Sequence, residues 1–433
     1  MLWIAVGIFG LSLLLFVFER IDKTIVASVG AVLLMITGVL TWEQAIDAID
    51  FETIALLLGL MLTVGFAQHS GIFSWLNTKI AEISAGSPLA VFVLFCLLTF
   101  FTSTILNNAT VVLLVIPVAI ALSNGLGLNT KLTVIGIAIM SNIGGTLTLI
   151  GDPPNTIIGV QAGLSFNQFL VNLSIPVAVM TVLVFGYLII LNWKDLKPIV
   201  RSLPKTFISQ LIIQRITYLY QRKKLNKKLV LKVILVILLT VVAFVIQPII
   251  GVSVGVIGLA SGLLLALLVM KKIPFMTVMK EVEWDSLVFF AALFIQVGAL
   301  EQVGFLEMIT EWISGFADNY ALLLMVIVWG IGLASTIINN IPFVALMIPV
   351  IFDLQTQLAG EPHLDLLWWA LALGACLGGN GTVIGSSSGI IALDLAKKNG
   401  VKISFWEFAK VGMPVTIISL AVSSVYLLVR VQL

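Results

Sequence analysis

The sequence predicts an all-α polytopic membrane protein built from two inverted repeats, and three observations carry that prediction. Of 433 residues, 60% are hydrophobic and 10% charged, whereas a soluble globular chain carries about 25% charged residues. One stretch is written twice: Ser103-Thr104-Ile105-Leu106-Asn107-Asn108 returns as Ser335-Thr336-Ile337-Ile338-Asn339-Asn340. Both copies run on, at the same distance, into Ile116-Pro117-Val118 and Ile348-Pro349-Val350. Downstream of each copy lies a helix-breaking stretch. The first runs from Gly144-Gly145-Thr146 to Gly151-Asp152-Pro153-Pro154-Asn155, the second from Gly378-Gly379-Asn380-Gly381-Thr382 to Gly385-Ser386-Ser387-Ser388-Gly389. Apolar segments interrupted at corresponding places in two halves point to a transport site.

Taken in order, apolar runs of about 20 residues, enough to span a bilayer at 1.5 Å per residue, fall at 1–18, 24–41, 51–68, 131–149, 171–192, 229–247, 252–270, 284–302, 366–384 and 411–431. Residues 1–18 have no basic segment before them and read as a retained span rather than a signal peptide. Between the third and fourth runs lie a weakly amphipathic, interfacial segment, Ser70–Ala85, and the apolar stretch 89–122 broken by Asn107-Asn108. The piece after that break, Ala109–Leu122, covers only about 21 Å, short of about 30 Å of hydrocarbon. The stretch therefore reads as a re-entrant hairpin with the Asn pair at its tip. The second half repeats the order: span 284–302, interfacial 304–316, hairpin 321–352, span 366–384. The domains expected are a first repeat over 1–192, a basic linker over 193–228 and a second repeat over 229–433. About ten spans, two hairpins and two broken helices result.

Charge tests this topology. Five spans per half is odd and a hairpin adds no crossing, so the second half is inverted. With the linker in the cytoplasm, Lys23, Lys131, Lys272, Lys398 and the other basic residues share its side, and only Arg430 lies opposite. The other side collects Glu43, Asp50, Glu301, Asp318 and Asp365 among its acids, as the positive-inside rule requires. Both termini are then external. Within the linker, Ile208–Tyr220 reads as an amphipathic helix on the anionic inner leaflet. Gly251, Gly255, Gly258 and Gly262 allow close helix packing, within the chain or across a dimer.

Several function classes drop out. A net charge of +2 gives no support to a nucleic-acid role. Cys96 and Cys376, in separate apolar runs, form neither a disulfide framework nor a metal cluster and read as small core residues. His69 and His363 sit near span edges. Gly385-Ser386-Ser387-Ser388-Gly389 fits G-x-S-x-G but lacks the strand and the His partner of a hydrolase. No zinc-protease or P-loop motif is present, so the chain reads as no enzyme, without a cofactor beyond a coupling ion.

At a helix break inside the membrane, N–H ends hold anions and carbonyl ends hold cations. Asn107 and Asn108 can cap the half-helix beginning at Ala109, with Thr110 adding a hydroxyl. Asn339 and Asn340 can cap its counterpart, with Pro342 in the first turn. Asp152, paired in the repeat with Ser386, is the single carboxylate in a break and is a functional candidate by its depth; the alternative is a simple helix cap. The candidate substrate and ion ligands are Asn107, Asn108, Thr110, Thr146, Thr148, Asp152, Asn155, Asn339, Asn340, Asn380, Thr382, Ser386, Ser387 and Ser388, with Na⁺ expected at Asn108, Asp152 or Asn340. No Lys or Arg lies deep in any expected span, so an anion would be held by helix ends, amides and hydroxyls.

On these residues, above all Ser141-Asn142-Ile143-Gly144-Gly145-Thr146 running into Ile150-Gly151-Asp152-Pro153-Pro154-Asn155, the chain resembles the ion transporter superfamily, in particular its ArsB/NhaD-type permeases and the P-protein branch. The resemblance covers essentially the whole chain. It implies a scaffold and a mobile transport domain, an elevator motion and a homodimer in the cell membrane. It departs from the dicarboxylate-transporting relatives at the hairpin tips, where only the asparagines transfer, and at Gly389, where the family often has Asn. The function expected is a secondary transporter coupled to Na⁺ or H⁺. Its cargo would be a small inorganic ion, an anion or arsenite/antimonite moved outward. The alternatives are a Na⁺/H⁺ antiporter and a dicarboxylate or citrate symporter. The partners are the ion, the bilayer and a second copy; an arsenite permease would add a soluble ATPase.

Overall fold

The computed structural model describes residues 1–18, 21–84, 87–196 and 226–432, and every regular element among them is a helix. The first half supplies α1 (Leu2–Phe18), α2 (Lys23–Ile36), α3 (Trp42–Asp47), α4 (Phe51–Ser70), α5 (Ile72–Ile83), α6 (Pro88–Ser103), α7 (Asn108–Leu126), α8 (Thr130–Thr146), α9 (Pro153–Gln161) and α10 (Phe166–Leu196). The second supplies α11 (Lys227–Ile250), α12 (Val254–Val269), α13 (Phe275–Met279), α14 (Trp284–Gln302), α15 (Phe305–Ser314), α16 (Tyr320–Ser335), α17 (Asn340–Gln357), α18 (Leu366–Gly378), α19 (Ser387–Lys398) and α20 (Phe405–Gln432). Each element of one half thus has a counterpart ten places on.

Local chemistry sets the boundaries. Asp22 accepts from Thr24 N–H at the start of α2, and Thr41 with Gln44 forms a capping box on α3. Asp50 caps α4 through the N–H groups of Glu52 and Thr53. Each satisfies a donor that the helix leaves unbonded.

Two bodies of helices result. In one, α4 lies against α12 and α2 against α14, with α1 and α11 alongside. Lipid tails are as apolar as leucine, so such contacts rest on close packing rather than on a hydrophobic drive. A Cβ at Gly59 would come within 2.1 Å of the Gly258 backbone, and one at Gly262 within 2.8 Å of Gly59 O. The glycine stripe therefore serves a contact inside the chain. Gln296 of α14 reaches across to Gly30 of α2 and donates to Ala27 O at 2.7 Å. In the other body α6, α7 and α8 pack together, as do α16, α17 and α18. The halves interlock there: α7 packs on α19, and α17 on α9.

The structure corrects several expectations. α7 continues to Leu126, and its 19 residues span about 28 Å. The shortness argument for a half-helix over Ala109–Leu122 therefore fails. Pro117 is absorbed within the helix, which stops only at Gly127, at φ 68°. Conversely, the runs expected at 131–149 and 366–384 stop early, at Thr146 and Gly378, where the chain turns. Six helices among the described residues are long and apolar enough to cross a membrane: α4, α7, α10, α11, α14 and α20. The spans expected at 1–18, 24–41 and 252–270 are apolar helices too short for that criterion. The flanks of the expected linker are helical, because α10 runs to Leu196 and α11 starts at Lys227. The amphipathic segment Ile208–Tyr220 lies outside the described residues.

Candidate functional site

The two Asn-Asn turns and the two breaks meet in the interior. The same contacts recur in both halves. A Cβ at Gly144 would lie 2.2 Å from Phe100 O, and one at Gly378 2.2 Å from Gly332 O. A Cβ at Gly151 would lie 2.6 Å from Ser103 O, and one at Gly385 2.6 Å from Ser335 O. The Thr148 hydroxyl donates to Thr104 O, and the Thr382 hydroxyl to Thr336 O. These are backbone approaches that only glycine permits, and they seat each turn on the break of its own half.

At the centre stands Asn142, on the last turn but one of α8 and 1% exposed. Its Oδ1 accepts from Asn108 Nδ2 at 3.0 Å and from Ser388 Oγ at 2.6 Å. Its Nδ2 donates to Asn380 Oδ1 at 3.0 Å and to Ser386 Oγ at 2.9 Å. Every donor and acceptor site of this amide is used, and three of the four bonds join the two halves. Asn108 also donates to Asp152 Oδ1 at 2.9 Å. Asp152 occupies the N-cap position of α9, yet its side chain makes no capping bond, since Pro153 and Pro154 remove the first two N–H groups it could accept from. That decides against the simple cap. Its Oδ2 is buried beside the Cys376 thiol but makes no hydrogen bond, and Asn380 Nδ2 is likewise buried without a partner. A buried polar atom left unsatisfied is costly, and two of them flank the Asn142 network.

The halves are not equivalent in polarity. In the register that pairs Gly144 with Gly378 and Thr148 with Thr382, Asn142 pairs with Cys376, Ser141 with Ala375 and Asp152 with Ser386. Ser103 Oγ bonds Ser141 Oγ at 2.9 Å, and Ser141 bonds Asn108 O at 3.0 Å. Ala375 can do neither, which explains why Ser335 Oγ is buried without a partner. Asn340, 3% exposed, makes no side-chain hydrogen bond among the described residues, whereas Asn108 makes three. Asn155 ties the first break together by donating to Thr146 O and Thr148 O. At the matching Gly389, a Cβ would meet Val383 O at 2.8 Å.

Beside this network lies a cavity of about 310 Å³, bordered by Ala109, Asn339, Pro342 and Ser387 on one side and by Lys23 and Glu283 on the other. A smaller one adjoins it, lined by Asn107, Asn108, Pro153 and Ile341 as well as by Lys23 and Glu283. The N-termini of α7, α9, α17 and α19 all border this space, and each carries partial positive charge. Asn107 caps Ala109 N–H and Ser386 caps Gly389 N–H. Among the described residues the caps leave the N–H groups of Asn108 and Thr110, and of Ser387 and Ser388, unengaged, the arrangement that binds anions. Prolines thin the donors of α9 and α17, so α7 and α19 are the stronger ends.

The expected site residues divide accordingly. Asn108, Asp152, Asn380, Ser386 and Ser388 join one network. Asn107 and Asn339 cap helices and border the cavities with Ser387. Thr146, Thr148 and Thr382 commit their hydroxyls to backbone carbonyls. Thr110 makes no side-chain hydrogen bond among the described residues. Among the described residues, no group of three or more His, Cys, Asp or Glu could hold a metal. A Na⁺ ion here would rely on Asp152 with amide, hydroxyl and carbonyl oxygens.

Asn142 and Lys23 were not among the sequence candidates. Asn142 sits in the motif that carries the resemblance, its only sequence signal; Lys23 counts in the sequence only among the basic residues on the linker's side. Cys376 is more than a small core residue, because its Sγ lies 3.3 Å from Asn155 Oδ1.

Comparison with known proteins follows the same lines. The chain matches the citrate transporter family over residues 13–374. It is 35% identical to a 46 kDa membrane protein of Mycobacterium leprae over 99% of this chain and 98% of that one. It is 31% identical to the P protein of Sus scrofa over 96% of this chain, which spans 58% of that longer protein. Its fold is similar to that of the YdaH transporter of Alcanivorax borkumensis, with a TM-score of 0.54, 15% identity and coverage of 99% and 97% of the two chains. Full-length relatives and a family match across most of the sequence agree: the chain is a membrane transporter of the citrate transporter family.

Proposed function

We propose that this protein is a secondary active transporter of a small anion, coupled to Na⁺ or H⁺ through Asp152. The observation that carries the reading is the cavity bordered by four helix N-termini next to one interior carboxylate with an unpartnered oxygen. The helix ends and amides favour negative charge. Asp152 Oδ2 can take up a proton or ligate a cation, which would return a buried charge to balance. A carboxylate anion of the citrate type suits the family, and a small inorganic oxyanion suits the same donors. Neutral arsenite would gain nothing from the positive charge of the helix ends, which favours an anion over it. Two inverted repeats, a cytoplasmic linker, external termini and a moving body working in a homodimer complete the proposal. One body of interlocked hairpins packed beside the α2–α4–α12–α14 body supports an elevator-like motion.

A second reading, a Na⁺/H⁺ antiporter, is favoured by Asp152 alone, since one interior carboxylate suffices to exchange the two cations. The test is flux in proteoliposomes of citrate, sulfate, phosphate, arsenite and Na⁺ under imposed Na⁺ and pH gradients, for wild type and Asp152→Asn. The expected result is gradient-driven anion uptake that loses its gradient dependence in the variant. Na⁺/H⁺ exchange without anion movement would establish the second reading, and wild-type coupling in Asp152→Asn would reduce Asp152 to a structural residue.

A further inference from the structure

The larger cavity has more room, and a different lining, than a bare oxyanion needs. Its volume of about 310 Å³ is about twice the roughly 150 Å³ that accommodates benzene in a protein interior. The helix N-termini occupy only part of its border. Much of the rest is apolar and comes from both helix bodies. Phe16 of α1, Ile21 before α2 and Phe289 of α14 line it from one body, and the half-buried Ile384, Ile390 and Ile391, in the second break and on α19, line it from the other. Phe289 meets Phe16 edge-on, with ring centroids 5.5 Å apart. The charged side chains on the border are Asp22, Lys23 and Glu283, two carboxylates to one ammonium.

Resting on the anion reading above, we infer that the site prefers an organic monocarboxylate with a small apolar body to a polyanion such as citrate or a bare oxyanion such as sulfate. The carboxylate takes the open N–H groups at the start of α7 or α19. The carbon body lies between Phe289 of one helix body and Ile384 and Ile390 of the other. Burying that body contributes binding energy that sulfate cannot gain. Each further carboxylate of a polyanion needs donors of its own in place of water. In this cavity it meets apolar walls and a border whose charged side chains sum to one negative charge. Because the two apolar walls belong to different bodies, a cargo of this class touches both at once and fills space that a small oxyanion leaves to water.

The experiment is equilibrium binding of radiolabelled valerate, citrate and sulfate to the purified full-length protein, with and without Na⁺. Acetate, butyrate, hexanoate and dodecanoate serve as competitors of valerate. Valerate should bind about tenfold or more tighter than citrate or sulfate. From acetate to hexanoate affinity should rise about fourfold per methylene, the equivalent of about 0.8 kcal/mol for each one buried. Dodecanoate should gain nothing over hexanoate, because the cavity is then filled. Ile390→Ala and Ile384→Ala should each weaken valerate several-fold and acetate hardly at all, a difference that a general loss of folding would not produce. Citrate or sulfate binding as tightly as valerate, or a flat series from acetate to hexanoate, would overturn this inference while leaving the anion reading intact. Affinity that keeps climbing to dodecanoate and ignores both variants would mark lipid-like partitioning and overturn it as well. A wild type that binds none of the labelled anions would overturn both.

Discussion

Replacing Asn142 by alanine tests the central claim about the interior, that one amide joins the two halves at the site. The substitution removes four hydrogen bonds, to Asn108, Ser388, Asn380 and Ser386. Side-chain bonds between membrane helices are worth about 0.6 kcal/mol each on average and soluble ones about 1 kcal/mol. The partners do not suffer equally. Asn108 keeps Asp152, and Ser386 and Ser388 keep each other. Asn380, whose Nδ2 already lacks a partner, loses its only side-chain bond, adding about 1–3 kcal/mol for a buried unsatisfied group. The sum is about 3–7 kcal/mol, a large share of a typical folding free energy. The assay is thermal unfolding in detergent, followed by the monodisperse fraction on size exclusion, beside gradient-driven flux. Ser335→Ala is the matched control, because it deletes a buried hydroxyl that has no partner and should be neutral or stabilising. Asn142→Ala should unfold several degrees below wild type and lose transport. Equal stability of the two variants, with transport intact in Asn142→Ala, would refute the reasoning.

Other expectations follow from the same geometry. Gly144→Ala and Gly378→Ala each set a Cβ 2.2 Å from a backbone carbonyl oxygen and should cost about 1–3 kcal/mol through forced separation of the helices. Gly186→Ala, with nothing within 4 Å, should be tolerated in the same unfolding assay. Asn108→Ala should destabilise the protein more than Asn340→Ala, because only Asn108 bonds to Asn142 and Asp152. Both should lower flux, and equal stability losses would mean that the asymmetry between the halves has no energetic weight. A cysteine placed at Lys205 should resist an impermeant thiol reagent applied to intact cells; labelling from outside would reverse the proposed sides.

Much of the architecture was legible in the chain because its causes are local or periodic. Apolar run length, the duplicated Ser-Thr-Ile-x-Asn-Asn stretch and the Gly-Gly and Pro-Pro breaks each act on the backbone where they stand. The start of α9 at Pro153 and the caps at Asn107 and Asn339 appear where the sequence puts them. Helix ends were less legible, since Pro117 can end a helix or be absorbed in one, and packing chose the latter in α7.

What the sequence determined by itself was therefore a helical membrane protein of two related halves, with polar breaks at corresponding places. Only the tertiary structure decided which polar residues meet. Asn142 becomes the hub because α8 ends where α7 begins and where the second break arrives, a coincidence of three segments that are distant in sequence. Lys23 reaches the cavity because α2 packs on α14, facing the hairpin turns. Cys376 moves from filler to neighbour of Asn155 because the two halves interlock. Contacts of this kind depend on through-space proximity between distant segments, and neither periodicity nor local propensity encodes it.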